Sequence, residues 1–354
     1  MARVMILAGG TGGHVFPALA VADWLREHEH QVSWMGTSSG LEARVVPAAG
    51  LILDKVDVRG LRRKGMSALL SAPLMLARAL WQADVIFQRR QPEVVLGMGG
   101  FAAGPGGVVA WMRGIPLVIH EQNRVPGTTN RWLAPRAKRV LEGFPDTFAD
   151  GLHPCWTGNP LRREIQRLGP RELLPGPALR LLVLGGSQGA RVLNEVVPDA
   201  LAELNGRVKV WHQCGAGAKE PLQSRYRDLG IEAKVTDFIE EIASAWQWAD
   251  LAICRSGAMT VSELAAAGVP SILVPYPFAV DNHQTRNAEF LVQRGAALLL
   301  PQNRMSAQSL GQEIKHLMTS PERLREMGLA ARRAARPDAT ETVAKICLEE
   351  AHGA

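Results

Sequence analysis

The chain carries the stretch LAGGTGG at Leu7–Gly13 and repeats its pattern as VLGGSQG at Val183–Gly189. In both places an apolar run ends in two glycines, a small hydroxyl residue and another glycine follow, and a segment typical of a helix comes next. A helix that begins just after a strand presents free backbone N–H groups and a positive dipole end, which attract anions. The repeat therefore predicts two similar domains, each with an anion site after its first strand.

Short apolar runs alternate with longer amphipathic runs along both halves, which predicts parallel βαβ units. The predicted strands are Arg3–Ala8, Gln31–Met35, Leu51–Val56, Glu93–Leu96, Pro116–His120, Leu179–Leu184, Lys209–Gln213, Lys234–Phe238, Leu251–Cys254 and Ser271–Val274. The expected fold is α/β, with two Rossmann-like, doubly wound parallel-sheet domains that face an interdomain cleft. We expect an N-terminal domain over residues 1–160, a C-terminal domain over residues 161–335, and a last helix over residues 336–354 that packs across them.

Composition narrows the class of protein. The 354 residues are 47% hydrophobic and 21% charged, as in a folded globular chain, and the net charge of +6 favours anionic partners. No run of Lys and Arg interleaved with aromatic residues occurs, so nucleic acid is not an expected partner. The four cysteines lie far apart, which favours reduced thiols in a cytoplasmic protein. The stretch MARVMILAGG has no small-residue cleavage site and is predicted to be a strand, not a signal peptide.

Two common nucleotide sites do not fit the first glycine loop. Val15 stands where a dinucleotide fingerprint needs its third glycine, and no acidic residue follows the second strand at Gly36. The chain also lacks the G-x-x-x-x-G-K-[ST] pattern of ATPases. A tight turn without any ligand stays an alternative for each loop. Three glycine-rich loops, at residues 9–13, 97–100 with 104–107, and 185–189, favour ligand binding.

Two residues of the first half are candidate bases. His14 directly follows the first glycine loop, where an imidazole can accept a proton near pH 7. Glu121 lies in His120-Glu121-Gln122-Asn123, at the end of the predicted fifth strand and at the same edge of the sheet. The alternatives are a structural histidine and a hydrogen-bonded strand end.

The second half contains CRSGAMTVSE at Cys254–Glu263, which predicts a strand end, a small-residue turn and a helix start. A carboxylate at Glu263, about one turn into that helix, can accept both hydroxyls of a ribose while the N–H groups of Ala258–Thr260 hold phosphate. The alternative for Glu263 is a charge partner of the helix dipole. Asp281–Asn287 supplies amide, carboxylate and imidazole groups for sugar hydroxyls.

These motifs resemble those of GT-B glycosyltransferases. GGTGGHVFPALAVA, GMGGF, IHEQN, GNPLR, GGSQGAR and CRSGAMTVSELAAAGVP follow one another as in the family of bacterial N-acetylglucosaminyltransferases that convert lipid I to lipid II, and the blocks run from residue 9 to about residue 290. The resemblance implies an inverting transfer of N-acetylglucosamine (GlcNAc) from UDP-GlcNAc to the muramoyl sugar of lipid I (undecaprenyl-pyrophosphoryl-MurNAc-pentapeptide), a step of peptidoglycan synthesis.

The resemblance also implies roles for individual residues. Uracil would lie against the backbone near Ile239, Glu263 would hold the ribose, and Gln284 would bind sugar hydroxyls. Arg162 would contact the nucleotide. His14 is the first candidate for the general base and Glu121 the second. The implied substrate-binding residues are Thr11, Gly12, Gly13, Asn123, Arg162, Ser187, Ile239, Ala258, Met259, Thr260, Val261, Ser262, Glu263 and Gln284.

No two aspartates are separated by one residue, so the Asp-x-Asp metal motif is absent. Helix N-terminal N–H groups, with Arg162, can stabilise the leaving UDP instead. We therefore expect no cofactor and no tightly bound metal.

A lipid acceptor implies contact with a membrane. The predicted apolar face consists of Met66, Leu69, Leu70, Leu74, Met75, Leu80 and Trp81, interrupted by Pro73, and the predicted basic rim consists of Arg62, Arg63, Lys64, Arg78, Arg89 and Arg90. Such a surface can bind anionic lipid. We expect a peripheral protein at the cytoplasmic face of the inner membrane, with proteins of cell-wall synthesis as further partners. Ordinary core packing is the alternative for this face.

Three other functions stay open at this point. UDP-GlcNAc 2-epimerases share the predicted architecture and need no lipid acceptor. A nucleotide-sugar-binding module would bind UDP without turnover. A related transferase with a different glycolipid acceptor would differ chiefly in the first domain.

Overall fold

The computed structural model describes residues 1–58, 66–169, 178–186, 190–204 and 206–353, and only the backbone of residues 66–71 and 280. The strands are β1 (Arg3–Ala8), β2 (Gln31–Gly36), β3 (Leu53–Lys55), β4 (Val94–Gly99), β5 (Leu117–Glu121), β6 (Arg139–Glu142), β7 (Cys155–Trp156), β8 (Leu179–Leu184), β9 (Val208–Gln213), β10 (Ala233–Thr236), β11 (Leu251–Cys254), β12 (Ser271–Leu273) and β13 (Ala297–Leu299). The helices are α1 (Gly12–Glu27), α2 (Glu42–Ala48), α3 (Met66–Arg90), α4 (Ala103–Met112), α5 (Thr128–Leu133), α6 (Arg163–Gln166), α7 (Arg191–Leu201), α8 (Lys219–Asp228), α9 (Ile242–Trp248), α10 (Ala258–Ala267), α11 (His283–Val292), α12 (Ala307–Met318), α13 (Pro321–Ala334) and α14 (Ala339–His352).

The chain forms two compact units, and the first is discontinuous in sequence. It consists of Met1–Arg162 together with Arg336–Ala354, and the second unit is Arg163–Ala335. Helix α14 packs in the first unit, where its residues Val343 and Cys347 are fully buried in one cluster with residues of β1 and β4. Packing of the last segment across both domains stays a prediction.

Each unit is built on one parallel sheet. The first sheet has the strand order β3-β2-β1-β4-β5-β6-β7, and the second has the order β10-β9-β8-β11-β12-β13. The predicted architecture of two doubly wound parallel-sheet domains is confirmed, and all ten predicted strands exist. Strands β6, β7 and β13 were not predicted.

Both sheets reverse their strand order at the first strand of the unit. Strand β1 lies between β2 and β4, and β8 lies between β9 and β11. At such a switch point the loops after the two central strands leave the sheet in opposite directions, and ligands bind in the crevice that opens there. The first glycine loop and the loop after β4 meet at this point in the first unit.

The glycines at residues 104–107, the later part of the second predicted loop, have a different role from the one expected. Gly106 and Gly107 lie inside α4, not in a phosphate-binding loop. A Cβ atom at Gly106 would overlap Met35 Cε, and one at Gly107 would lie 2.6 Å from Leu133 Cδ1. These glycines therefore let α4 pack closely on the sheet and on α5, so the expectation of a ligand loop at residues 104–107 was wrong.

Helix α3 presents a different apolar surface from the one predicted. The helix continues through Pro73, so the proline does not end it. The side chains of Leu74 and Trp81 are 77% and 67% exposed, whereas Leu80 packs against the core, which corrects its place in the predicted face. The side chains of Met66, Leu69 and Leu70, and the whole of Arg62, Arg63 and Lys64, lie outside the described residues. Among the described helices, none has the length and hydropathy needed to cross a bilayer.

Candidate active site

The first glycine loop joins β1 to α1 and is held by a buried carboxylate. Glu42, at the start of α2, is fully buried and accepts hydrogen bonds from Gly10 N at 2.9 Å and from Thr37 N and Oγ1 at 3.0 and 2.7 Å. Burial raises the pKa of the Glu42 carboxyl, but the hydrogen bonds from Thr37 and Gly10 outweigh burial and leave the pKa below its usual value. Glu42 was not predicted, because an acidic residue in the first turn of a helix is ordinary.

Because Gly10 N is already bonded, the N-terminus of α1 provides the anion-binding groups of this loop. Thr11 precedes the helix in an extended conformation (φ −111°, ψ 160°), and its side chain makes no capping hydrogen bond. The first amides of a helix have no acceptor within the helix. Thr11, Gly12 and Gly13 are therefore placed as the sequence predicts for an anion site.

The loop after β4 approaches the first glycine loop closely. Gly99 and Gly100 have φ values of +101° and +87°, a region that favours glycine. A Cβ atom at Gly100 would overlap the carbonyl oxygen of Gly9 and lie 2.9 Å from its carbonyl carbon. The two loops can therefore meet at the switch point only with glycine in this position.

Gly100→Ala is expected to lower the free energy of unfolding by about 2–3 kcal/mol, because it combines an unfavourable φ with a clash against rigid backbone. Chemical denaturation measures this change. Gly114→Ala is the matched control, since Gly114 also has a positive φ (+68°) but no atom within 4 Å of its Cβ position. Its expected cost is about 1 kcal/mol, from backbone strain alone. Equal losses in the two variants would contradict the close approach.

His14 lies in the first turn of α1 and faces the end of β5. Its Nδ1 atom is 2.6 Å from Oε1 of Gln122, the residue that follows β5. A Cβ atom at Gly99 would lie 3.1 Å from the His14 ring. The structure thus brings the predicted base to the crevice beside the glycine loop.

The carboxylate of Glu121, the second candidate base, is buried among hydrogen-bond donors. Its side chain is 1% exposed, and both carboxylate oxygens accept hydrogen bonds. Oε1 accepts from Asn123 N at 3.0 Å and Asn123 Nδ2 at 3.3 Å, and Oε2 accepts from Gly127 N and Asn130 Nδ2, both at 3.0 Å. Glu121 therefore shapes the loop that carries Asn123, and these contacts favour His14 over Glu121 as the base.

Arg162 is the last residue of the first unit before the chain enters the second. Its guanidinium lies over the ring of Phe16, with 5.8 Å from Cζ to the ring centroid. Phe16 packs on the start of α1, because a Cβ atom at Gly12 would lie 2.9 Å from Phe16 Cε2. Arg162 therefore places a positive charge near the N-terminus of α1.

The second unit has a comparable helix start at α10. Gly257 precedes it in an extended conformation, no side chain caps it, and Gly268 ends it with a φ of +66°. Glu263 is half-buried, and its Oε2 accepts a hydrogen bond of 3.0 Å from Nε1 of the buried Trp246. Trp246 thus orients the carboxylate that is predicted to bind the ribose. The predicted residues of the turn and helix are Ala258, Met259, Thr260, Val261 and Ser262, and all lie in α10.

Gln213, which was not predicted, connects two predicted donor-binding segments. Gln213 is the last residue of β9, the strand next to β8. Its side chain accepts a hydrogen bond from Gly186 N at 3.1 Å and donates to the carbonyl oxygens of Gly186 at 3.0 Å and Asp237 at 2.8 Å. Gly186 precedes Ser187, which lies outside the described residues, and Asp237 precedes the loop of Ile239. The available sequence signal was a glutamine at the end of a predicted strand.

Arg255 also belongs to the site's framework rather than to its ligand contacts. Its guanidinium donates to the carbonyl oxygens of Val274 and Pro275, both at 3.1 Å, and to Gln302 Oε1 at 2.8 Å. Burial lowers the pKa of Arg255 below its usual value. The side chain fixes the chain after β12, next to the α10 turn.

Gln284 lies in the first turn of α11 and accepts a hydrogen bond from Tyr276 N at 2.9 Å. Asn287, on the same helix, is fully buried and donates to the Ser256 carbonyl oxygen at 3.2 Å. This bond ties α11 to the start of α10, so Gln284 lies on an element anchored to the predicted phosphate turn. Within the described part of the chain, no three His, Cys, Asp or Glu residues form a cluster that could hold a metal ion.

Comparisons with known proteins agree with both units. Residues 4–142 match the glycosyltransferase family 28 N-terminal domain, and residues 180–343 match the glycosyltransferase family 28 C-terminal domain. A protein of Methylococcus capsulatus is 56% identical over 350 residues, which are 99% of each chain, and one of Stutzerimonas stutzeri is 53% identical over 354 residues, also 99% of each. Both are named UDP-N-acetylglucosamine--N-acetylmuramyl-(pentapeptide) pyrophosphoryl-undecaprenol N-acetylglucosamine transferase.

A solved structure is similar over the same length. The crystal structure of Acinetobacter baumannii MurG is 40% identical, covers 99% of this chain and 100% of its own, and has a TM-score of 0.86. The predicted resemblance to GT-B glycosyltransferases is therefore confirmed. This chain is a glycosyltransferase, and it belongs to glycosyltransferase family 28.

Proposed function

We propose that this chain transfers GlcNAc from UDP-GlcNAc to the muramoyl sugar of lipid I, with inversion, and so forms lipid II. The observation that carries the proposal is the likeness, over 99% of the chain, to transferases named for this donor and this acceptor. The helix starts at α1 and α10 support it, because each offers uncapped backbone N–H groups for a pyrophosphate.

The second unit binds the donor in this proposal. The N–H groups at the start of α10 hold the pyrophosphate, Glu263 accepts hydrogen bonds from the ribose hydroxyls, and Gln284 binds the GlcNAc hydroxyls. The hydrogen bond from Trp246 Nε1 orients the Glu263 carboxylate for this role.

The first unit binds the acceptor and supplies the base. The acceptor pyrophosphate binds at Thr11–Gly13, and His14 takes the proton of the attacking sugar hydroxyl. The hydroxyl oxygen bonds to the anomeric carbon from the face opposite UDP, so an α-linked donor gives a β-linked product. The leaving UDP carries negative charge, which the α10 N-terminus and Arg162 stabilise without a bound metal.

The acceptor's lipid chain requires a membrane-facing surface, and we place it on α3, α4 and α5. Besides Leu74 and Trp81, the strongly exposed apolar side chains on these helices are Leu76, Val85, Trp111, Met112 and Trp132. Arg136 links two of them, with Cζ 5.6 Å from the Trp111 ring centroid and 4.4 Å from that of Trp132. This surface supports our proposal of peripheral binding to the cytoplasmic face of the inner membrane, and protein partners in cell-wall synthesis stay a prediction.

Part of the predicted basic rim is already paired within the protein. Arg89 and Arg90 both bind Asp54, and Arg78 binds Asp57 at 3.1 Å. These ion pairs reduce the net field that an anionic membrane meets. Apolar contact should therefore contribute more to membrane binding than charge does.

The double variant Leu74→Ser, Trp81→Ser is expected to reduce flotation with vesicles of anionic lipid by about tenfold, because it removes two largely exposed apolar side chains from the contact. Leu329→Ser is the matched control, since Leu329 is 44% exposed on α13 of the second unit. Equal flotation of the double variant and the control would rule out this surface.

The proposed function is tested with purified protein, radiolabelled UDP-GlcNAc and a lipid I analogue in the presence of EDTA. Label in the lipid fraction is the expected result, and it would establish the acceptor class and metal independence together. Transfer that needs added Mg²⁺ would contradict the metal-free step alone. UDP binding without transfer would contradict the acceptor, and conversion of UDP-GlcNAc without any acceptor would indicate epimerase chemistry instead.

A further inference from the structure

Gln122 is a buried side chain that connects two histidines. It follows β5 and is fully buried, with His14 on one side of its amide and His120 on the other. Neither the sequence nor the reaction proposed above gives it a role. Its hydrogen bonds nevertheless decide which nitrogen of His14 carries a proton.

The direction of these hydrogen bonds is set at a backbone carbonyl. His120 Nε2 lies 2.9 Å from the carbonyl oxygen of Gly158, which can only accept, so Nε2 carries the hydrogen. Burial lowers the pKa of His120 to about 4, so the ring is neutral at neutral pH. His120 Nδ1 therefore presents a lone pair.

The orientation of the Gln122 amide follows from its neighbours. Its Nε2 lies 3.1 Å from His120 Nδ1 and 3.0 Å from the His120 carbonyl oxygen, and both of these atoms are acceptors. A reversed amide would place its oxygen against two acceptors, which is repulsive. Gln122 Oε1 therefore faces His14 Nδ1 at 2.6 Å and accepts its hydrogen.

We propose that Gln122 is a positioning residue that holds His14 in the Nδ1–H tautomer, so that the Nε2 lone pair is available to the acceptor hydroxyl. The catalytic part of this inference rests on the proposed function. When the hydroxyl oxygen bonds to the anomeric carbon, the bond from that carbon to the UDP oxygen breaks and its electron pair leaves with UDP. The hydroxyl proton passes to His14 Nε2, while Nδ1–H keeps its bond to Gln122.

The backbone around Gln122 is held by the segment that follows β7. Asn159 Nδ2 donates to the Gln122 carbonyl oxygen at 3.0 Å, next to Gly158, whose carbonyl oxygen orients His120. Gly158 has a φ of +82°, and a Cβ atom there would overlap Arg336 Cβ. The GNPLR motif therefore orients the base through Gln122, although its Gly and Asn do not touch His14 themselves.

The tautomer is measured by ¹⁵N NMR of protein labelled at histidine, with His14→Ala identifying the His14 signals. The wild-type protein is expected to show protonated Nδ1 and unprotonated Nε2 at His14. In Gln122→Met, which keeps the side-chain length and removes the acceptor, the signals should move towards the Nε2–H form. A wild-type Nε2–H form, or an unchanged tautomer in Gln122→Met, would overturn the inference.

Steady-state kinetics test the consequence for transfer. Gln122→Met is expected to lower kcat by at least about tenfold, with the KM for UDP-GlcNAc changed less than about twofold. The loss should not exceed the 10²–10⁴-fold that a positioned base contributes. In Gln122→Glu, one carboxyl oxygen accepts from His14 Nδ1–H and the other, once protonated, donates to His120 Nδ1 as the amide does, so this variant should retain the wild-type tautomer and more activity than Gln122→Met. Gln308→Met, on the exposed face of α12, is the control for the substitution itself.

The two proposals fail in different ways. Transfer that survives His14→Ala would refute the proposed base and leave the NMR result on the tautomer standing. If Gln122→Met does not fold, which circular dichroism would show, Gln122→Glu and the wild-type tautomer carry the test. Equal kcat in Gln122→Met and in the wild type would overturn the positioning role.

Discussion

His14→Ala is expected to lower kcat for GlcNAc transfer by about 10³-fold, because a positioned general base contributes 10²–10⁴-fold. Glu121, the neighbouring carboxylate, is occupied by four hydrogen-bond donors. Steady-state transfer to a lipid I analogue measures the loss. The affinity for UDP, measured by calorimetry, should change little, since the proposed donor site lies in the second unit.

His316→Ala is the matched control, because His316 is an exposed histidine on α12. Its transfer rate should equal that of the wild type. More than a tenth of the wild-type kcat in His14→Ala would show that another group takes the proton.

Glu263→Ala is expected to weaken UDP-GlcNAc binding by roughly 10²-fold. A hydrogen bond to a charged acceptor contributes about 1.5–3 kcal/mol, and the ribose offers two hydroxyl groups to this carboxylate. Glu263→Gln should lose roughly tenfold, since an amide oxygen still accepts from Trp246 Nε1 and from one ribose hydroxyl. Isothermal calorimetry with UDP measures both variants.

The difference between the two substitutions separates ribose binding from a structural effect. If Glu263 only supported the fold through Trp246, Glu263→Gln would bind UDP as well as the wild type does. Glu313→Ala, an exposed carboxylate on α12, should leave the affinity unchanged. Unchanged UDP affinity in Glu263→Ala would remove Glu263 from the donor site.

The fold was predictable because its signals are local and repeated. The apolar runs that end in Gly-Gly are β1 and β8 with the predicted bounds, and Gly268 ends α10 in the conformation that only glycine adopts easily. Glycine itself was ambiguous. In Gly9–Gly13 it shapes a loop, whereas in α4 it permits close helix packing. Composition does not distinguish a glycine that leaves the backbone open to a ligand from a glycine that makes room for a neighbouring side chain.

Within the candidate site, only residues that closely follow a glycine motif in the sequence could be predicted. His14 and Glu263 follow glycine turns, so their positions at helix starts could be read from spacing. Glu42, Gln122 and Gln213 act across the sheet, on loops distant in sequence, and their partners became visible only in three dimensions. For Glu121 the residue type suggests a base, whereas its four hydrogen bonds favour the alternative of a hydrogen-bonded strand end.

The return of the chain to its first unit has a consequence for synthesis on the ribosome. The buried cluster around β1 and β4 lacks Val343, Ala344 and Cys347 until the last helix has been made. The second unit ends at Ala335, so it can fold before α14, the last helix of the first unit, has been synthesised. A nascent chain cut short after Ala335 would thus hold a complete second unit and a first unit with an open apolar groove, a species that chaperones and proteases recognise.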